Sequence, residues 1–86
     1  MPDPAEPNLY ELRRRDRPAF ERMIEELRSA VRGRVEDAGL RQAAREVGMS
    51  ATGLSNFVNG TEPYMRTIRK LRTWHAGRSG EPMDPP

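Results

Sequence analysis

The chain has 86 residues, no cysteine, one histidine, eight prolines and seven glycines, and its 15 basic and 13 acidic residues leave a net charge of +2. A chain this short buries only about 60% of its unfolded surface, which argues against a deep cleft between large layers. Without thiols, and with His75 alone, disulfide frameworks and zinc clusters are excluded, and no run of about 18 apolar residues offers a membrane span.

Met1 to Pro7 holds three prolines and two acids, cannot form a helix interior and offers nothing to bury, so it is expected to be a disordered lead. It lacks the basic start and apolar stretch of a secretory signal. Asn8 is placed to cap a short turn through Leu9, Tyr10 and Leu12, followed by Arg13, Arg14 and Arg15. That basic run is either an arm reaching for phosphates or a solvated helix face, and residues 1–15 are expected as a flexible N-terminal arm.

A helix start is marked at Asp16, Arg17 and Pro18, an acidic cap candidate beside a proline tolerated in the first turn. Phe20, Ile24, Leu27, Val31, Val35 and Ala38 then follow at spacings of four, three, four, four and three, which lines one face of a helix from about Arg17 to Asp37. Gly33 costs that helix about 1 kcal/mol against alanine, and Gly39 is its natural end. From Leu40 the periodicity restarts. Ala43, Ala44 and Val47 make a short apolar face ending at Gly48, and Ser50 caps a further helix that buries Leu54, Phe57 and Val58 before Asn59 and Gly60 close it. A last helix is predicted to start near Pro63, to bury Tyr64, Ile68, Leu71 and Trp74, and to stop at Gly77. Residues 78–86 are expected to be a disordered tail. There is no internal repeat and no candidate strand, so the predicted fold class is all-α.

Two short helices joined at Gly48 are the most specific feature, and the stretch LRQAAREVGMSATGLSNFVN resembles a helix-turn-helix. Ala44 must be small where the second helix crosses, Gly48 supplies the backbone of the tight turn, Met49 plugs the corner, and Val47, Leu54 and Phe57 fill the space between the helices. Ala43 stands where the motif usually carries something larger. With the long preceding helix, the following Asn-Gly and the P-x-x-x-x-I-x-K-L-x-x-W helix, roughly Arg17 to Ala76 is similar to the Cro and lambda-repressor-like (XRE-type) DNA-binding family. The resemblance implies a compact four- to five-helix lambda-repressor-like domain over residues 16–77. In that family the second motif helix, here 51–58, lies in the major groove while the first crosses the backbone.

Carried over position by position, Ala51, Thr52, Ser55 and Asn56 face the bases. Asn56 suits bidentate pairing with adenine, Thr52 offers its methyl to a thymine or its hydroxyl to a base or phosphate, Ala51 offers only apolar contact, and no Arg or Gln on this helix supplies guanine readout. Phosphate contact falls to Arg41, Gln42, Ser50, Asn59, Arg66, Thr67, Arg69 and Lys70, with the helix cap the favoured role of Ser50. Trp74 reads as core at helical spacing from Leu71, and His75 as an exposed residue near a helix end. Residues 1–39 carry a net charge of −1, residues 40–78 carry +5 and the last eight carry −2, so the basic surplus accompanies the motif and points to a polyanion. The expected partner is double-stranded DNA, bound by a cytoplasmic, nucleoid-associated homodimer acting as a transcriptional regulator, with no cofactor, metal or membrane. The alternative is an antitoxin-like or phage-accessory protein-interaction module. An enzyme finds no support, since no nucleophile stands with a base and no paired catalytic carboxylates are indicated.

Overall fold

The structure, a computed structural model, describes residues 8–79, in which five helices follow in order: α1 (Leu9–Arg15), α2 (Arg17–Ala38), α3 (Leu40–Val47), α4 (Ala51–Val58) and α5 (Met65–Ser79). No strand occurs among the described residues, and the all-α expectation holds. The predicted disorder of residues 1–7 and 80–86 lies outside the described residues.

The central element is α2. Its start forms as the sequence predicts: the Asp16 carboxylate accepts from the Ala19 N–H at 3.2 Å, with Pro18 in the first turn. Phe20, Ile24, Leu27 and Val31 lie along its buried stripe, while Val35 and Ala38 are half-buried. Gly33 sits on the exposed side without interrupting the helix, and Gly39, at φ 93°, ends it. One core gathers these side chains with Ala43, Ala44, Val47, Leu54, Phe57, Met65, Ile68, Leu71 and Trp74. Each large side chain buried there contributes about 1.5–3 kcal/mol.

Three expectations shift. The flexible arm expected through residue 15 instead becomes helical from Leu9: Asn8 Oδ1 accepts from the N–H groups of Tyr10 and Glu11 at 3.1 and 3.2 Å, and Leu9 is only 1% exposed. Leu9 and Leu12 are too few to display a helical period, but packing of Leu9 into the core, with Leu12 against its edge, fixes the turn to α2. At the other end Tyr64 is not buried but 76% exposed, and Met65 takes the inward place. Pro63 disfavours helical geometry in the residue before it, and the helix begins at Met65, so the buried positions run Met65, Ile68, Leu71 and Trp74. Gly77 does not stop α5, which extends through Arg78 and Ser79, the first two positions of the expected tail.

The α3–α4 pair forms around a three-residue turn. Gly48 has φ 90° and ψ 40°, the left-handed conformation, and the N–H groups of Gly48 and Met49 both donate to Ala44 O, at 2.9 and 3.0 Å. Ala43 and Ala44 are both buried where α3 packs, so the small residue at position 43 is filled around rather than left as a void. Met49 packs half-buried against the core, and Leu54 and Phe57 turn inward from α4.

Candidate nucleic-acid interface

The position of α4 is fixed at both ends. At its start Ser50 Oγ accepts from the Gly53 N–H at 3.0 Å, so Ser50 is the helix cap. This contact also bears on Gly53, because a Cβ there would lie 3.0 Å from Ser50 Oγ and 3.2 Å from Met49 Cε. At its end α4 is gripped by two arginines of α2. Arg28 is buried, its Nε donates to Phe57 O at 2.7 Å and its Nη2 to Thr61 O at 3.3 Å, while its guanidinium lies 4.9 Å from the centre of the Phe57 ring. Arg32 Nη2 donates to Val58 O at 3.1 Å. Ser55 O, Asn56 O and Phe57 O accept from the N–H groups of Asn59, Thr61 and Gly60, and the two arginines add a charged donor to Phe57 O and supply one to Val58 O, complementing the negative end of the helix dipole.

Between the start of α3 and the outer face of α4 runs an open cleft lined by Ala38, Gly39, Leu40, Arg41, Gln42, Ala51, Thr52, Ser55 and Asn56. It brings together all four residues expected at base edges and the first two expected at phosphates. Thr52 and Asn56 are exposed and Ser55 is half-buried, and none of their side chains has a hydrogen-bond partner in the fold. Arg41 likewise has no ion-pair partner. No side chain caps α3, so its first N–H groups open towards the same cleft.

Gln42 is differently placed. Its Nε2 donates to Glu46 Oε2 at 3.1 Å and its Oε1 accepts from Arg45 Nη1 at 3.1 Å, so both ends of the amide are engaged. Glu46 is the centre of a network that joins three helices: Arg34 of α2 reaches it with Nε at 3.0 Å and Nη2 at 2.6 Å, and Trp74 Nε1 of α5 donates at 3.4 Å. The Arg34 bonds, then the Gln42 bond, hold the Glu46 carboxyl down to about 2, and the same contact raises Arg34. Two-pronged charge-assisted pairing of this kind favours both charged forms.

The residues expected at phosphates on α5 do not share one cleft. Lys70 Nζ donates to Gly48 O at 3.0 Å, which ties α5 to the α3–α4 turn, and Arg69 and Lys70 line a shallow depression with Glu46, Val47, Thr73 and Trp74. Arg66 lies on another side, 5.7 Å over the ring of Tyr64, in a cleft with Tyr10, Arg13, Glu62 and Pro63. Thr67 is half-buried, and Asn59 is exposed just past α4.

Ion pairing divides the chain sharply. Arg13, Arg14, Arg15, Arg17, Arg28 and Arg34 each meet a carboxylate, so the basic run of α1 is paired with Glu11 and Glu62. The two acids of the basic half, Glu46 and Glu62, are both taken by arginines from α1 and α2 or the junction between them. Among the described residues, none of Arg41, Arg45, Arg66, Arg69, Lys70, Arg72 and Arg78 has a carboxylate within salt-bridge distance. No protein-family model, curated protein or solved structure matches the chain. What the site can do is therefore argued from its own chemistry: an exposed helix face with open hydroxyl and amide groups, flanked by an unpaired guanidinium, Arg41, and free N–H groups. Among the described residues no helix is long and apolar enough to cross a membrane.

Sequence reasoning did not find Arg28, Arg32, Arg34 or Glu46. The available signal for Arg28 was its place four residues after Ile24 and next to Leu27, inside the apolar stripe of α2. For the others the partners lie on different helices, and no local pattern announces them.

Proposed function

We propose that the chain is a sequence-specific double-stranded DNA-binding regulator, acting as a repressor, with α4 in the major groove and α3 across the backbone. The observation that carries this reading is the cleft in which unpartnered Thr52, Ser55 and Asn56 stand beside unpaired Arg41 and the uncapped start of α3. A helix about 10–12 Å across suits a groove about 12 Å wide. Free cations and N–H groups at the rim suit phosphates, and open amide and hydroxyl groups suit base edges. One such helix reads only a few base pairs, so a homodimer on a two-fold site completes the reading. Such a protein works at the nucleoid, in the cytoplasm.

The test is anisotropy of a labelled duplex, selected from a random pool, titrated with the full chain across salt concentrations. Arg41, the unpaired guanidinium of the cleft, alone corresponds to a log–log salt slope of about −0.9 per protomer. Affinity unchanged between about 50 and 200 mM salt would sink the proposal.

A second reading, an antitoxin-like or phage-accessory protein-interaction module, draws on one observation. Tyr10 and Tyr64 are the exposed large hydrophobics of the described residues, 61% and 76% exposed, and both line the cleft that also holds Arg13 and Arg66. Tyrosine and arginine are the residue types enriched where protein partners bind most strongly. Recovery of a stoichiometric protein partner that Tyr10→Ser and Tyr64→Ser release, with no duplex retained, favours this reading over the first.

A further inference from the structure

We infer that the DNA half-site read by this chain has A·T pairs under α4, with Asn56 on an adenine and the methyl groups of Ala51 and Thr52 on thymine. The inference rests on the DNA-binding reading above and adds the identity of the bases. It follows from what the cleft offers and what it withholds. Guanine presents two acceptors in the major groove, which call for the paired donors of arginine or lysine, and cytosine presents a donor, which calls for a carboxylate. The α4 sequence, ATGLSNFV, contains neither type, and the hydroxyls of Thr52 and Ser55, which pair with any base edge, do not discriminate. An asparagine amide, one donor beside one acceptor, matches adenine N6 and N7, and small apolar groups match the thymine methyl.

Neighbouring side chains do not make up the deficit. Gln42 has both ends of its amide engaged by Glu46 and Arg45, Lys70 is held on Gly48 O, and Glu46 is turned to Arg34. Arg41 is the unpaired guanidinium on the cleft, and it sits in the first turn of α3 beside that helix's free N–H groups, a combination suited to a phosphate. A guanine contact from Arg41 falls at the edge of the half-site rather than under α4.

The experiment is selection of bound duplexes from a random pool by the full chain, followed by affinity measurements on the enriched duplex with 7-deazaadenine or deoxyuridine replacing single adenines or thymines. The expected result is a core of A·T pairs in which Asn56→Ala, at an exposed position, weakens binding about 5- to 150-fold, the range of one lost bidentate contact. One 7-deazaadenine, which removes the N7 acceptor and leaves the N6 donor, weakens binding less than that, and Asn56→Ala costs less on the 7-deaza duplex than on the unmodified one. Deoxyuridine at the position under Ala51 and Thr52 also weakens binding. An enriched core of G·C pairs, or losses from Asn56→Ala and 7-deazaadenine that multiply, overturns the base assignment while leaving DNA binding intact. Failure to enrich any duplex overturns the DNA-binding reading and the base assignment together.

Discussion

Replacing Arg28 with methionine keeps an unbranched side chain out to the level of Nε and removes the charge and all the donors. Phe57 O loses its 2.7 Å charged donor in a buried position and keeps the Gly60 N–H at 3.1 Å, and Thr61 O, partly buried, loses the donor bonded at 3.3 Å. A hydrogen bond from a charged donor contributes about 1.5–3 kcal/mol, and the longer of these two adds only a fraction of that. Methionine keeps the apolar stem, so the lost hydrogen bonds dominate and the expected loss is about 2–3 kcal/mol. A folded unit of this size holds roughly 4–11 kcal/mol in all, so the variant folds with little in reserve. With a urea m-value of about 1 kcal/mol/M, the midpoint should fall by about 2–3 M. The ion pair that Arg28 makes with Glu25 is a separate matter, because the Glu25 side chain is 67% exposed. Glu25→Gln should therefore cost under about 1 kcal/mol. If Glu25→Gln destabilised the protein as much as Arg28→Met, the carbonyl grip on α4 would not be the source of the effect.

Leu9→Ala should cost about 2–5 kcal/mol, since Leu9 is 1% exposed in the shared core; a midpoint in urea that does not move would mean that α1 is not part of the cooperative unit. Ser50→Ala should cost about 1 kcal/mol through loss of the α4 cap, while Ser50→Asp retains it, and equal losses for the two would dismiss the cap. For Glu46 the folded carboxyl lies at about 2, below its ordinary value near 4.5, so its contribution is complete above about pH 4.5 and disappears as pH falls towards 2. Thermal melts of the wild type and Glu46→Gln should accordingly differ most near neutral pH and converge through that acid window, and a constant gap down to pH 2 contradicts the assignment.

Where the chain carries several cues that agree, its structure could be read from sequence. The six apolar positions of α2, the proline in its first turn, the glycines at 39 and 48 and the serine before α4 are each local, and each fell where the spacing put it. The frame of α5 was missed because Tyr64 and Met65 are both apolar neighbours at the helix start, and only three-dimensional packing chooses between them. Helix α1 was missed because two leucines make no period. In the cleft, the membership of Arg41, Thr52, Ser55 and Asn56 was legible from helix position alone. That Gln42 and Lys70 are engaged was not, because their partners are a carboxylate held from α2 and a turn carbonyl some twenty positions away in sequence.

The grip of Arg28 and Arg32 on α4 acts on main-chain carbonyls, which every residue type possesses, and the inward hold comes from Leu54 and Phe57. Nothing that fixes α4 in place depends on the side chains at 52, 55 and 56. Those three positions are thus free to be exchanged as a set while the scaffold keeps its stability, so the chemistry the cleft presents can be changed by selection or by engineering without rebuilding the domain. The corresponding constraint falls on α2, where Arg28 and Arg32 hold the end of α4 from positions outside the cleft lining.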